Sequence, residues 1–548
     1  MFEKTVKYPP MSHYRSRLPV SDAGQKALKL ASAIAVDLRT RANESDEEKR
    51  IPADLLARMS DAEFFRMGAP TEVGGGVVDY PVMFRAIEEL ATGDGSAGWC
   101  VLTNLAAATM SACLAESGAR KLWPSAHTVI AGSPVPGGRA IKTDQGYRIL
   151  PGGRWHFASN SGHATHFLGG FQIVQHEDDP GSSFPPKPGE PFPISYVAYF
   201  DRSDVELIEG SGNTIGLKGT RSGGYTVKEC VVAEDMVFRM FTPPGRDLLG
   251  IKGPLGIGGH AAVFMGVARH ALETFYKLAN EKTSRRSGGN GEAVLAEHPV
   301  IAHEMAHIEA SFRAARAQFY DIVEDCWARW NEYGSVDDAD YLECELANVH
   351  AASVSRDVVN MVCKWAATSA VFEGAELDRC RRDVQTATGH VAVQDNNLEN
   401  YGLAMMGQAV MMGSAFDAAG LRQSAQVLEE GARNRAGPPP AATEADLDRD
   451  ADLRVAHRFV AAMIASDIDA CQAMMADDIV MDSPMGPREG PNECAEMLRQ
   501  MNQMGSTPME LPVRENGDIV AINHAPIGDI RLVFTVANGM VSAVGLRA

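Results

Sequence analysis

Three stretches of this sequence bring together residue types and spacings that could do chemistry. The first is Gly152-Gly153-Arg154-Trp155-His156-Phe157-Ala158-Ser159-Asn160-Ser161-Gly162. Trp155 and Phe157 stand two apart, so on a strand they share one face. Ser159 and Ser161 follow on a glycine-containing exit loop. A flat aromatic beside small hydroxyls makes a shelf for a flat heteroaromatic ring; the same pattern also describes two core aromatics of a β-domain. The second is His303-Glu304-Met305-Ala306-His307, a formal H-E-x-x-H. Its histidines stand at i and i+4 and could share a zinc ion, with Glu304 as base. The glycine and third histidine of the usual continuation are absent, so the pair reads as solvated or hydrogen-bonded between helices, with no metal assigned. The third is Gly93-Asp94-Gly95-Ser96-Ala97-Gly98, a formal G-x-G-x-x-G. That fingerprint holds a pyrophosphate only when a strand precedes it. Here Phe84–Ala91 is helical, so a helix–helix turn is expected and no nicotinamide site is evident.

The elements that must position these residues fall into blocks. Residues 1–125 read as an α-helical domain: Leu55, Leu56 and Met59, then Met83, Phe84, Ile87 and Leu90, repeat at helical spacing. Residues 126–240 change to a strand period and read as a central antiparallel β-domain, with Thr165–Val174, Ile194–Phe200 and Tyr225–Val232 as strands. A hairpin is expected over Ala140–Lys142, the turn Asp144-Gln145-Gly146, and Tyr147–Leu150. Pro180–Pro193 is a surface loop. Residues 241–432 are helical again, with Ile301, Met305, Ile308, Phe312, Phe319 and Ile322 on one stripe. Residues 433–452 form a Pro/Ala-rich, then acidic, linker. Residues 453–548 make a small α+β domain: an amphipathic helix over Arg454–Ile464, then strands including a hairpin at Asn538-Gly539.

Composition narrows the partners. A net charge of −20 over 548 residues argues against nucleic acid and against an anionic membrane surface. No apolar run approaches the roughly 20 residues of a membrane span. The first residues lack the form of a signal peptide, and nine scattered cysteines do not make a disulfide framework. A soluble, cytoplasmic protein is expected.

Several ordered landmarks carry a resemblance. Pro70–Gly76 looks like a P-x-x-x-G-G turn, Gly95-Ser96-Ala97-Gly98-Trp99 like G-S-x-x-W, and Trp155-x-Phe157-x-Ser159 like W-x-F-x-S. Gly219-Thr220-Arg221-Ser222 looks like G-T-x-S, and Arg382-Asp383-Val384-Gln385-Thr386-Ala387-x-x-His390 like R-D-x-x-T-A-x-x-H. In this order, over roughly residues 20–430, they resemble the acyl-CoA dehydrogenase superfamily, in its branch of two-component flavin-dependent monooxygenases similar to hydroxyphenylacetate hydroxylase and dibenzothiophene oxygenase. The fold this implies is a helical N-terminal domain, a β-domain and a C-terminal four-helix-bundle domain. The activity implied is oxygenation of a small cyclic or aromatic substrate with O2. Reduced FMN or FAD would come from a separate reductase and react through a flavin C4a-hydroperoxide that must be kept dry. A homotetramer is also implied.

The resemblance assigns roles residue by residue. Trp155 would pack on the isoalloxazine. Ser159 would bond its N5 edge, and His390 would stand on the oxygen-reacting side. Arg285 would grip flavin phosphate by a bidentate contact, and Thr220 and Ser222 would be loop contacts. The superfamily's dehydrogenases usually place a catalytic Glu after the R-D pair. Thr388–Val393 holds no carboxylate, which demotes an acyl-CoA dehydrogenase to the alternative, beside a non-catalytic ligand-binding or scaffold protein. Phenol-hydroxylating relatives usually carry a histidine about eight residues beyond the tryptophan matched by Trp99. Here Leu105-Ala106-Ala107-Ala108 stands there, which favours an electron-rich ring, sulfur or nitrogen over a phenol. Asn160 replaces a frequent glycine. The tail resembles the SnoaL-like cone fold through Ala465–Ala470 and Met475–Val480, with Asp482 and His524 as pocket candidates and a binding or oligomerising role expected.

Overall fold

The computed structural model describes residues 16–76, 78–182, 194–240, 258–285, 292–333, 338–407, 447, 450–465, 467–482, 487–503, 511–515, 518–525 and 528–547. Within them the chain makes two compact units, one from residues 16–240 with 258–407, the other from residues 447–547. The expected loop over Pro180–Pro193 and the linker over 433–452 fall mostly outside the described residues.

The first unit opens with helices α1 (Asp22–Thr40), α2 (Ala42–Glu48), α3 (Ala53–Asp61), α4 (Tyr80–Gly93), α5 (Gly95–Met110) and α6 (Glu116–Leu122). The joint between α4 and α5 is the glycine-rich 93–98 segment, a helix–helix turn as its helical predecessor predicts. Asp94 caps α5 by accepting the Ser96 amide at 2.7 Å. A Cβ on Gly93 would stand 2.3 Å from the Ala35 carbonyl oxygen, so the glycine is there to let α1 approach.

Strands β1 (Ile130–Thr143), β2 (Gly146–Ile149), β3 (Trp155–Ala158), β4 (His166–Ile173), β5 (Tyr196–Asp201), β6 (Val205–Leu207), β7 (Gly223–Val227), β8 (Cys230–Val232) and β9 (Val237–Arg239) follow. The predicted hairpin forms, with Thr143 opposite Gly146 across Asp144-Gln145. Six strands run in the order β8-β2-β1-β4-β5-β9, and β3-β7-β6 form a second sheet. The expectation of an all-antiparallel domain needs correction, because β1 pairs with β4 in parallel. The connection between them includes β2 and β3, long enough for a crossover that a hairpin would not permit. Trp155, Phe167, Phe171, Phe200 and Tyr225 fill the core of this region.

Helices α7 (His260–Glu281), α8 (Pro299–Tyr333), α9 (Asp338–Ala366), α10 (Glu376–Ala387) and α11 (Asn396–Met405) complete the unit, with a short ribbon of β10 (Thr283–Arg285) and β11 (Glu292–Val294) after α7. The predicted stripe on α8 is buried at Ile301, Met305, Ile308, Phe312 and Phe319, with Ile322 at its margin. Glu88 of α4 accepts from Arg269 of α7, and from Arg316 and Tyr320 of α8, so three helices meet at one buried carboxylate. Removing Glu88 would deprive both buried guanidiniums of a carboxylate partner.

The second unit is α+β. Strands at Met475–Met481, Arg488–Glu489, Val513–Glu515, Asp518–Ala525, Gly528–Ala537 and Met540–Arg547 form one sheet, flanked by helices at Ala451–Ile464, Ile468–Ala473 and Pro491–Gln503. Asn538 and Gly539 both have positive φ, the two-residue turn that their types demand. Phe459, Ile479, Phe534 and Val541 belong to a core of its own.

Candidate active site

The motif around Trp155 does not lie flat. Between the β3–β7 pairs Trp155/Tyr225 and Ala158/Gly223, β3 spends one residue more than β7, a β-bulge. The extra residue is absorbed at Phe157, whose φ is +59°. The bulge splits the two aromatics that alternation would place on one face. Trp155 is 2% exposed, its ring stacked on Tyr225 at 5.3 Å and its Nε1 donating to the Gly170 carbonyl at 2.8 Å, whereas Phe157 is 82% exposed. Trp155 is a core residue of this region, enclosed by aromatics and by the close backbone of Gly138 and Gly153. The aromatic surface beside Ser159 belongs to Phe157. A non-glycine, bulky side chain held at positive φ is strained, and such strain concentrates at functional sites.

Ser159 stands at the start of a chain of hydroxyls. Trp99 Nε1 of α5 donates to Ser159 Oγ at 3.1 Å, Ser159 Oγ lies 2.7 Å from Ser222 Oγ, and Ser222 Oγ lies 2.7 Å from Thr220 Oγ1. Thr220 Oγ1 in turn donates to the Leu217 carbonyl at 2.7 Å. The structure thus joins Ser159, Thr220 and Ser222, all singled out by sequence. Asn160 explains its own departure from glycine: its φ is +75°, which asparagine tolerates, and its Nδ2 donates to the Cys100 carbonyl at 2.9 Å.

The loop carrying Thr220 and Ser222 is itself strained, with Leu217 and Arg221 both in the left-handed region. It is held by three side chains from elsewhere. Asp383 Oδ1 accepts the Leu217 amide at 2.6 Å, Thr386 Oγ1 the Gly216 amide at 2.9 Å, and Ser96 Oγ the Gly219 amide at 3.2 Å. The R-D-x-x-T segment therefore contributes anchors as well as the approach to His390. Burial first, then the neighbouring Asp94, pushes the Asp383 carboxyl up to about 8.

His390 follows α10, caps the turn at Val391–Val393 and accepts the Ala392 amide on Nδ1 at 3.2 Å, which leaves its ring proton on Nε2. Its ring meets Trp99 edge-on at 5.4 Å and stacks on His260 at 4.3 Å. His260, first residue of α7, also meets Trp99, at 5.7 Å. Burial lowers both imidazoles, and His390 lowers His260 further, so both are neutral near pH 7. Sequence reasoning missed His260. It lies 130 positions from His390 by their numbers, and no periodicity links them. Trp99 is the hub, with the serine hydroxyl on its indole nitrogen and the two imidazoles against its rings.

The other candidates stand on other elements. Arg285 is the last residue of β10, and its side chain lies outside the described residues, as does that of His524. Asp482 is exposed beyond the strand Met475–Met481 of the second unit. In the H-E-x-x-H stretch, His303 and His307 are exposed, and Glu304 is engaged by Lys364 at 2.9 Å and by Trp365 Nε1 at 2.6 Å. No group of residues placed to hold a metal ion occurs among the described residues.

Comparison with known proteins adds families to this geometry. The acyl-CoA dehydrogenase N-terminal domain matches residues 28–123, the acyl-CoA dehydrogenase C-terminal domain matches residues 258–395, and a SnoaL-like domain matches residues 456–539. Indole-3-acetate monooxygenase of Pseudomonas putida is 28% identical over 380 residues, covering 68% of this chain and 92% of that protein. The oxygenase subunit HsaA of a flavin-dependent monooxygenase from Rhodococcus jostii is 23% identical over 372 residues, 66% of this chain and 92% of that one. The solved structure of TdsC from Paenibacillus sp. A11-2 with FMN and indole superimposes with a TM-score of 0.60 at 18% identity, over 72% of this chain and all of that one, a likeness of fold.

Proposed function

The chain belongs to the acyl-CoA dehydrogenase superfamily and carries a SnoaL-like domain behind it, and from that premise we propose that it is the oxygenase component of a two-component flavin-dependent monooxygenase. It would take reduced FMN or FAD from a separate reductase, with O2, and oxygenate a small aromatic or other cyclic substrate. The observation that carries this reading is the meeting of Ser159 and the neutral His260–His390 pair at Trp99. The names of the relatives, indole-3-acetate monooxygenase and HsaA oxygenase subunit, point the same way.

The residues present suit a reduced flavin. Phe157 offers an exposed aromatic face, and Ser159 a buried hydroxyl with a lone pair to spare. When bound, reduced flavin supplies the two electrons with which O2 is activated. The chain's own residues do the rest. Phe157 would pack on the ring system, Ser159 would meet its N5 edge, and Trp99 and the buried wall around it would exclude water. His390, with its proton on Nε2, donates toward the reacting oxygen. His260, the second neutral imidazole, takes the place of the base that Leu105–Ala108 lacks and accepts a proton from a substrate N–H or O–H. The buried carboxylates Asp94 and Asp383 accept backbone amides, so neither is presented as the α-proton base of an acyl-CoA dehydrogenase.

Arg285 would hold the flavin phosphate, and Thr220 and Ser222 would support the flavin through Ser159. We take residues 1–125, 126–240, 241–432 and 453–548 as the four domains, with α7–α10 as the four-helix bundle and 433–452 as the linker. The assembly proposed is a cytoplasmic homotetramer; no helix among the described residues is long and apolar enough to cross a membrane.

The test is reconstitution of the purified protein with a flavin reductase, NADH, FMN or FAD, and indole under O2. Product carrying oxygen from labelled O2, formed only with the reductase present, is the expected result. Tightly bound oxidised FAD that is bleached by an acyl-CoA would overturn it in favour of dehydrogenation.

A further inference from the structure

The hydroxyl chain at Ser159 has a forced direction. At one end the Trp99 indole N–H can only donate; at the other the Leu217 carbonyl can only accept. Each hydroxyl between them carries a single proton. Thr220 spends its proton on Leu217, so Ser222 must donate to Thr220, and Ser159 must donate to Ser222. Reversing the run would set the Thr220 oxygen against the Leu217 carbonyl oxygen at 2.7 Å with no proton between them. Ser159 is therefore left with one open lone pair and no free proton: at this position the protein accepts and does not donate.

We propose that this directed relay makes the site select the redox state of its flavin, with Thr220 and Ser222 as positioning residues that set the polarity of Ser159. The inference rests on the reading above that Ser159 meets the N5 edge. Reduced flavin carries N5–H, a donor that matches an accepting Ser159. Oxidised flavin carries a bare N5 lone pair, which would face the lone pair of Ser159 unless the whole chain turned over. An oxygenase fed by a separate reductase gains from this, since it takes up the reduced form and releases the spent one.

The experiment is anaerobic titration of the full-length protein and its variants with FMN, both photoreduced and oxidised, together with the midpoint potential of the bound flavin. Wild type is expected to bind the reduced form about tenfold more tightly, the consequence of one matched against one mismatched hydrogen bond. For a two-electron couple that ratio raises the bound potential by about 30 mV above free FMN. Thr220→Val keeps the shape but removes the terminal acceptor of the relay. Ser222 can then turn toward Ser159 and free its proton, so the preference should collapse toward parity, mainly by tighter binding of oxidised FMN. Ser222→Ala should do the same, and Thr220→Ser should restore the preference. Equal weakening of both redox forms in Thr220→Val and Ser222→Ala, with the ratio unchanged, would overturn the relay while leaving the Ser159 contact standing. Unchanged affinity for both forms in Ser159→Ala would remove the N5 contact itself, and the relay's role with it.

Discussion

Asp383 Oδ1 accepts the backbone N–H of Leu217 at 2.6 Å across 166 positions of chain. That contact ties α10, which ends three residues before His390, to the strained loop that presents Thr220 and Ser222 beneath Ser159. Movement of α10 would thus be felt at the hydroxyl chain and at the imidazole pair together.

Asp383 should couple stability to pH. Burial and Asp94 hold its carboxyl at about 8, against an ordinary value near 3.8; Asp46 adds to the upward shift and Arg379 opposes it. The folded protein keeps a proton there that the unfolded chain releases, so this contribution is complete below about pH 4 and is lost as pH rises to about 8. Asp383→Asn can still accept the Leu217 amide but has no proton to lose. Its melting temperature relative to wild type should climb between pH 6 and pH 8. A difference independent of pH would contradict the protonated carboxyl.

Phe157→Gly separates strain from function. Relief of the left-handed conformation, about 1 kcal/mol, roughly offsets the added chain entropy of glycine, also about 1 kcal/mol. The melting temperature should stay near wild type while reduced-flavin affinity falls about tenfold through the lost aromatic face. Unchanged affinity would take Phe157 out of the flavin site.

Ser159→Ala should keep the fold, at a cost of about 1–3 kcal/mol for leaving the Trp99 and Ser222 partners unpaired. It should divert turnover toward free hydrogen peroxide. Peroxide released per O2 consumed, measured with substrate present, is expected to rise several-fold; a ratio equal to wild type would exclude Ser159 from protecting the reaction.

The histidine pair predicts a one-sided pH profile. Burial depresses both imidazoles, so they are neutral above about 6.5 and product yield should be flat from there to pH 8. Yield should fall on the acid side as the pair takes up a proton. Stability should fall there too, since a depressed histidine stabilises the fold only above its unfolded value. His260→Phe keeps the stack but loses the nitrogens. It should lower product formation about 100-fold while flavin oxidation continues. Equal loss of both would mean that His260 is only packing.

Removing residues 453–548 should leave flavin binding and oxidation intact, because that unit has its own sheet and core. Assembly or substrate affinity should change instead, as read by light scattering and substrate titration. Loss of reduced-flavin binding on truncation would place part of the flavin site in the tail.

The sequence by itself determined what depends on local pattern. Apolar spacing separated the helical blocks from the strand block. Asn538-Gly539 and Asp144-Gln145 specified their hairpins, and five ordered motifs indicated the family. The same local logic explains why Gly93–Gly98 is a helix joint and no nucleotide loop. What tertiary structure alone decided are relationships between distant positions. Alternation placed Trp155 and Phe157 together; a single inserted residue against β7 sent one into the core and the other to the surface, and a bulge depends on the partner strand. The meeting of His260 with His390 is set by how α7 packs against the end of α10, which neither helix encodes alone. The direction of the hydroxyl chain is fixed by its two ends, an indole on α5 and a carbonyl on the 217–222 loop, and only folding brings a pure donor and a pure acceptor to the two ends of the run.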